Sequence, residues 1–395
     1  MSRFATRTLA LLAVTLFAAA TLVAAQSDSG TRTFRASAGG LLELKLDAGG
    51  TVQVTGDGGS SIKVSYRVSG SGEPTIAFDE TADGLKITTK FRVRNTHNSS
   101  GIDLEIQVPS HYDIELDSLG GGLHLDGVDG KFSGKTMGGE LILRNVRGEA
   151  RLKTMGGEIE VTDAELDGSV ETMGGEVTLR RVTGDLNGSS MGGAVRYIEV
   201  QRRDGRVGGP KQIDMDDLDG VTEETVQIST MGGEIDVDEA PAGVAAHTMG
   251  GDIDIESAER FAKVTTMGGD IEIRAIDGWV KATTMGGDVD VRVVGSGGDV
   301  DLTSMSGNIT LIVPPGFGMD LDLEIAFTRD SGRDKTYKIE TDFDVKQSVS
   351  PEWDYDHGSP RRYIRAKGPI NGGGNKVKVR TINGDVKVTQ GGRAL

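Results

Sequence analysis

The sequence predicts an all-β protein, a single-stack parallel β-solenoid (β-helix) with about 18 residues per coil. Two observations lead to this prediction. The motif Thr-Met-Gly-Gly-acid recurs along most of the 395-residue chain, and aliphatic and polar side chains alternate between its copies. A fixed short period with this alternation indicates stacked coils, because one coil cannot bury its apolar face alone.

The repeated methionine sets the register of the predicted coils. Successive positions are evenly spaced, except for one much longer step from Met191 to Met231 and a slightly longer last step to Met305. Nine of the 12 methionines occupy this one column. The column consists of Leu119, Met137, Met155, Met173, Met191, Met231, Met249, Met267, Met285 and Met305.

The direction of each side chain follows from the two-residue period of a β-strand. Ile159 and Val161 are expected to point inward, and Glu158 and Glu160 outward. Thr154 and its equivalents also fall on the inward face, where we expect their hydroxyls to bond one another. Methionine then falls outward, unless the Gly-Gly corner redirects it. Glycine is expected at this corner because it tolerates positive φ and close approach between coils.

Residues 1–25 are predicted to be a cleaved secretory signal peptide. An apolar stretch follows Arg3 and Arg7, and Val23-Ala24-Ala25 fits a small-residue cleavage site. A membrane anchor is the alternative, which the short, alanine-rich stretch disfavours. We therefore expect an exported protein, periplasmic or extracellular, with no transmembrane segment after cleavage.

The remaining chain is expected to have three parts. Residues 26–115 are read as a β-rich N-terminal cap, and residues 116–311 as the solenoid repeats, with an insertion at about 196–217. Residues 312–395 are read as C-terminal strands, a loop insertion and a cap, in which KVKVRTINGDVKV closes the stack. Caps are expected because an open solenoid end exposes unpaired strand edges.

Composition restricts the possible partners. The chain has no cysteine, so it has neither disulfides nor thiolate metal sites. Its formal charge is −17, and loss of Arg3 and Arg7 with the leader would make it −17 − 2 = −19. This charge argues against nucleic acid as a partner and favours cations or basic surfaces.

Several of the repeat motifs carry a family resemblance. One motif occurs in three variants: TINGDVKV from Thr381, SMSGNITL from Ser304 and TMGGDIEI from Thr266. Over roughly residues 33–390, the sequence resembles the secreted bacterial putative-adhesin family, a β-solenoid group of unknown function. The resemblance implies a role in adhesion or in the cell envelope, and it brings no established catalytic residues.

Acidic side chains form two columns on the predicted outer face. The first contains Glu140, Glu158, Glu176, Glu234, Asp252, Asp270 and Asp288; the second contains Glu160, Asp236, Asp254, Glu272 and Asp290. Stacked carboxylates about 5 Å apart repel by about 1 kcal/mol per pair in water. The favoured interpretation is a soluble face that prevents aggregation. The alternatives are a ladder for calcium or for a basic partner, centred on Glu234, Asp236, Asp252, Asp254, Asp270, Glu272, Asp288 and Asp290.

The methionine column has three interpretations. The favoured one is packing at the corner or against the caps, because large exposed apolar patches are uncommon. If the column points outward, it forms a soft stripe suited to adaptable recognition. Thioethers also bind Cu(I).

Other polar groups give weaker signals. The one basic stretch falls in the insertion and is read as a solvated decoration or a recognition loop; it contains Arg196, Arg202, Arg203, Arg206 and Lys211. The histidines are scattered, at His97, His111, His124, His247 and His357. The motif WDYDHG from Trp353 is read as a turn in preference to a metal site.

These observations favour a non-enzymatic exported scaffold, an adhesin or a cell-envelope interaction protein with a protein or surface glycan as partner. No cofactor is predicted. One alternative is a carbohydrate-active β-helix enzyme, which would need acids such as Asp252 and Asp254 to converge with bases in one groove. The other is a calcium-stabilised structural protein.

Overall fold

The computed structural model describes residues 29–37, 39–47, 49–69, 73–92, 101–201, 226–295, 297–329, 337–356 and 359–391. These residues form mostly parallel β-strands stacked into a solenoid, which confirms the predicted fold class. The predicted leader, residues 1–25, lies outside the described residues, as do Arg202, Arg203, Arg206 and Lys211 of the basic insertion.

The repeats form the central stack. Equivalent strands of successive coils pair in parallel, as in Ile159↔Val177 and Val161↔Leu179. Ile159, Val161 and Leu152 are buried, as alternation predicted. The strands are β8 (Asp113–Ser118), β9 (Gly122–Asp126), β10 (Asp129–Thr136), β11 (Leu141–Arg144), β12 (Arg147–Thr154), β13 (Ile159–Thr172), β14 (Val177–Thr183), β15 (Leu186–Ser190), β16 (Val195–Ile198), β17 (Val226–Ser229), β18 (Ile235–Ala240), β19 (Val244–His247), β20 (Ile253–Thr265), β21 (Ile271–Thr284), β22 (Val289–Val293), β23 (Val300–Ser304) and β24 (Ile309–Val313).

The long central step of the repeat leaves the stack unbroken. Val195 pairs with Ile235 across it, and the Met231 N–H donates to the Met191 carbonyl oxygen at 3.0 Å. Met191 and Met231 therefore lie on neighbouring coils, although the step between them is the longest in the methionine column. The coils on the two sides of this step therefore pair in the same register as the other coils.

The corner threonines are buried, as predicted, but they bond the backbone and not one another. The Thr154 hydroxyl donates to the Gly139 carbonyl of the preceding coil at 2.9 Å, and it accepts the Gly157 N–H of its own corner at 3.1 Å. The same pair of bonds recurs at Thr172. The prediction of bonds between hydroxyls was wrong because the Gly-Gly backbone of two coils lies closer to each hydroxyl.

The Gly-Gly corner is needed for close approach between coils. A Cβ added at Gly157 would overlap the backbone of Gly139, whereas one at Gly156 would meet only ordinary contacts. Neither glycine adopts the left-handed conformation that we expected. Positive φ occurs instead at the opposite bend of the coil, at Asn145, Asp163 and Arg181, with φ of 54°, 55° and 51°.

At the N-terminal end the coils do not follow chain order. Leu42 pairs on one side with Ile114 of the first repeat coil and on the other with Leu85. The strands at this end are β1 (Ser29–Arg35), β2 (Leu41–Leu46), β3 (Thr51–Asp57), β4 (Ser61–Ser69), β5 (Glu73–Glu80), β6 (Gly84–Arg92) and β7 (Gly101–Pro109). The coil made by β6 and β7 lies outside that of β2 and β3, and the antiparallel strands β1, β4 and β5 extend it further.

The C-terminal end has the same property. Val377 pairs with Val300 of the repeats on one side and with Leu321 on the other. The strands at this end are β25 (Met319–Thr328), β26 (Ile339–Thr341), β27 (Gln347–Val349), β28 (Arg361–Ile370), β29 (Asn375–Ile382) and β30 (Val386–Gln390). KVKVRTINGDVKV, predicted to close the stack, therefore lies one coil inside its end, which β25, β26 and the antiparallel β28 cover.

Candidate functional site

The methionine column points into solvent. We call its nine methionines the methionine stripe: Met137, Met155, Met173, Met191, Met231, Met249, Met267, Met285 and Met305. Each side chain is 43–52% exposed, and Leu119 at the start of the column is 57% exposed. The prediction that these residues pack at the corner was wrong, because the buried threonine or serine before each methionine forces the next side chain outward.

Part of the stripe lines a shallow groove of about 560 Å³. Met137, Met155, Met173, Met191 and Met231 line it. The side chains that stand two residues before each of these methionines also line it. These are Lys135, Lys153, Glu171, Ser189 and Ser229. The groove therefore combines apolar thioether side chains with polar and charged ones.

In the C-terminal half of the first acidic column, the carboxylates accept hydrogen bonds from backbone N–H groups. The Asp252 Oδ1 accepts the Asp270 N–H at 2.8 Å, and the Asp270 Oδ1 accepts the Asp288 N–H at 2.7 Å. Asp288 does the same for Asn308 at 2.7 Å. Each carboxylate is thus held by a donor on the next coil, which offsets part of the repulsion within the column.

Arginines partly neutralise acids of both columns. Arg196 forms ion pairs with Glu176 and with Asp236, whose Oδ2 lies 2.8 Å from its Nε. Arg274 bridges Glu256 at 2.7 Å and Glu272 at 3.0 Å. These pairs were not predicted from the sequence. Arg196 was expected in the insertion, whereas it lies in β16 within the stack.

One acidic cluster stands out where the two columns meet. Single carboxylate oxygens of Glu234, Asp236 and Asp254 all lie within 4.8 Å of one another. The charge of Asp236, followed by burial, raises the pKa of Glu234, and burial, followed by the charge of Glu272, raises the pKa of Asp254. Asp290 lies exposed beside Glu272 on the next coil. The predicted cation or partner ladder stays a prediction.

The histidines lie in unrelated places. His111 pairs with Asp129 at 3.1 Å, and His124 pairs with Glu140 at 2.8 Å. His247 is exposed at the end of β19, beside the methionine stripe. His97 and His357 lie outside the described residues.

The described part of the WDYDHG segment, residues 353–356, lies in a turn. The backbones of Asp354 and Arg361 exchange two hydrogen bonds, and the Asp354 Oδ1 accepts the Asp356 N–H at 2.9 Å. Beside it, the Arg362 guanidinium lies 5.8 Å from the Trp353 ring and 5.9 Å from the Phe327 ring. This cation–π cluster was not predicted from the sequence, because Phe327 and Arg362 come from separate strands, β25 and β28, and Trp353 from the chain between them.

The chain belongs to the Toastrack DUF4097 family, whose model matches residues 42–389. No curated protein matches the sequence. Two solved structures are similar to it. One is a putative cell adhesion protein from Clostridium sporogenes, 9% identical, with 92% of this chain and 100% of that chain covered and a TM-score of 0.17. The other is a putative adhesin from Bacteroides fragilis, 10% identical, with coverages of 93% and 98% and a TM-score of 0.19. Such low scores carry no argument about this chain.

Within the described ranges, no helical segment has the length and apolar character needed to cross a bilayer.

Proposed function

We propose that the chain is an exported, non-enzymatic interaction scaffold of the adhesin type, acting in the cell envelope or at the cell surface. The observation that carries this proposal is the methionine stripe. An unbroken row of half-exposed apolar side chains along a continuous stack is the kind of patch that marks an interaction site. Methionine suits such a site because its flexible thioether adapts to different partner surfaces.

Two further observations support the proposal. The predicted leader would direct the chain out of the cytoplasm. The stacked coils present equivalent side chains at a constant spacing, which suits an extended protein or glycan partner over a small molecule.

Export is tested by expressing the full-length chain in a bacterial host and fractionating the cells. We expect the protein in the periplasm or medium, with Gln26 as its N-terminal residue by mass spectrometry. Full-length protein retained in the cytoplasm would contradict export.

Interaction is tested by the binding of purified protein to isolated cell envelopes. Met155→Gln, Met173→Gln and Met191→Gln, made together, keep the side-chain length and remove the apolar character. We expect this triple variant to lose most of the binding. The matched control, Val294→Gln with Val349→Gln, changes exposed apolar residues outside the stripe and should bind like the wild type. Equal binding by the triple variant and the wild type would contradict the proposal.

A further inference from the structure

The thioethers of the stripe stand at one register position on consecutive coils. Parallel strands lie about 4.8 Å apart, so neighbouring methionine Cα atoms have roughly this separation. The backbone confirms the adjacency, since the Met155 N–H donates to the Thr136 carbonyl and the Met231 N–H to the Met191 carbonyl, at 3.2 and 3.0 Å. Methionine has three rotatable side-chain bonds, so adjacent sulfurs can converge without movement of the backbone.

The chemistry of this row selects a soft cation. Thioether sulfur is a soft ligand that suits Cu(I), whereas Ca²⁺ and Mg²⁺ require oxygen. The chain has no cysteine, so no thiolate competes for the ion. The methionines are 43–52% exposed, so an ion reaches them without any opening of the fold.

A nitrogen ligand stands beside the row at one place. Along β19 and the residues after it, Val244, Ala246 and Thr248 are buried, while His247 and Met249 are exposed. His247 and Met249 therefore project from the same outer face. His247 has Ser229 and Thr265 as Cα partners on the neighbouring coils, and these residues stand shortly before Met231 and Met267.

The residues that stand two positions before the methionines differ along the stripe. At the N-terminal end they are Lys135, Lys153 and Glu171, of which Lys153 and Glu171 form an ion pair at 2.6 Å, while the ammonium group of Lys135 opposes a cation. At the corresponding positions around Met249 stand the uncharged side chains of Ser229 and Thr265 together with the imidazole.

We propose that Met231, Met249 and Met267, with His247, form a Cu(I)-binding site on the solenoid surface. Three thioethers and one imidazole supply a coordination set that suits Cu(I). This site is independent of the proposed scaffold function, because it needs the sulfur atoms and not merely an apolar surface.

The column itself provides the matched substitution. Leu119 occupies the same position on an earlier coil and is exposed, so leucine fits this corner. Met231→Leu, Met249→Leu and Met267→Leu, made together, remove the sulfur and keep the apolar surface. Met319→Leu is the control, because Met319 is buried outside the stripe.

Cu(I) is titrated anaerobically into the protein, lacking only the predicted leader, in competition with a chromogenic Cu(I) chelator. We expect the wild type and Met319→Leu to withdraw at least one equivalent of Cu(I). Loss of a group that only hydrogen-bonds to a metal ligand already weakens metal binding about 10–100-fold. The triple leucine variant loses the ligands themselves, so we expect it to bind Cu(I) at least roughly tenfold more weakly. His247→Ala should weaken binding and remove the nitrogen scatterer from the X-ray absorption spectrum. Equal affinity of the triple variant and the wild type would overturn the proposal, as would failure of the wild type to compete with the chelator.

A second measurement needs no variant. Bound Cu(I) or its redox-inert analogue Ag(I) occupies the sulfur lone pairs that peroxide attacks. With Ag(I) present, mass spectrometry should show slower sulfoxide formation at Met231, Met249 and Met267 than at Met137. Uniform oxidation along the stripe, with and without Ag(I), would contradict the site. Envelope binding by the triple leucine variant should persist, which separates this site from the scaffold function.

Discussion

At the scale of single residues, the threonine or serine before each methionine of the stripe joins two coils. Thr284 is fully buried; its hydroxyl donates to the Gly269 carbonyl at 2.9 Å and accepts the Gly287 N–H at 3.2 Å. Both backbone groups lie at a glycine corner, where the strand ladder is interrupted. The hydroxyl therefore supplies partners that buried backbone groups need.

Replacement of Thr284 by valine should destabilise the stack. Valine keeps the shape and removes both bonds, which leaves a buried carbonyl and N–H unpaired at a cost of about 1–3 kcal/mol. The control is Thr283→Val at the adjacent outward position, which should change the free energy of unfolding little. Chemical denaturation measures both variants. Equal effects of the two substitutions would show that the hydroxyl bonds are not important.

The two glycines of each corner should differ in their tolerance of a methyl group. A Cβ at Gly175 would overlap the Gly157 backbone of the preceding coil, whereas the nearest atom to a Cβ at Gly174 is the Met155 carbonyl oxygen at 3.6 Å. Overpacking of this kind costs about 1–3 kcal/mol. We expect Gly175→Ala to lower the melting temperature and Gly174→Ala to leave it nearly unchanged. The reverse order would contradict the close approach.

At the scale of elements, the outer strand faces carry charge that the fold only partly balances. Arg196 and Arg274 each contact two acids, and Asp252, Asp270 and Asp288 accept backbone N–H groups. Glu234 and Asp254 keep raised pKa values nonetheless. Some carboxylates of the acidic face are thus paired, whereas the charged forms of Glu234 and Asp254 are disfavoured. The face is therefore not a uniform ladder.

Asp254→Asn should stabilise the protein at neutral pH. The raised pKa means that the folded state holds the Asp254 proton more tightly than the unfolded state, so ionisation destabilises the fold as pH rises through and above the ordinary value of 3.8. We expect the variant to melt about 1–2 °C higher than the wild type at pH 7. This gain should disappear below pH 3.8, where both states of the wild type are protonated.

The control for this substitution is Asp290→Asn, at an exposed position of the same column. It should give a smaller gain, because Asp290 lacks the burial that penalises the Asp254 charge. Calorimetry of both variants across this pH range checks the prediction. A gain for Asp254→Asn that does not depend on pH would rule out ionisation as its cause.

At the scale of the whole molecule, both ends of the stack are closed by strands out of chain order. At the C-terminal end, β29 and β30 lie between the last repeat coil and the outer strands β25 and β26. Removal of these inner strands would leave the edges of both neighbours unpaired. Unpaired parallel edges promote association between chains.

A chain that ends at residue 360 should therefore fail to remain monomeric. It lacks β28, β29 and β30, whereas a control chain that ends at residue 391 keeps every described strand. We expect the shorter chain to aggregate or to lose cooperative unfolding, and the control to behave like the full chain. Size-exclusion chromatography and thermal melting compare the two. A monomeric, cooperatively unfolding short chain would contradict the closing role of these strands.

The sequence by itself determined the period, the facing and the register of the repeats. Ile159, Val161 and Thr154 are buried, as alternation predicted. This was predictable because the same motif recurs at the same spacing in each coil, so equivalent residues of neighbouring coils can be identified from the sequence. The family resemblance could also be recognised from the sequence, because its motifs lie in the same repeats.

The tertiary structure alone decided the order of coils at the two ends, the partners of the acids and the surroundings of the methionines. The place of β29 depends on which distant strand offers a matching edge, and no local pattern encodes that choice. Arg196 meets Asp236 only because the stack continues across the long step between Met191 and Met231. Each methionine of the stripe is exposed because the buried threonine or serine before it is anchored to the glycine backbone of two coils, a contact that exists only once those coils are stacked.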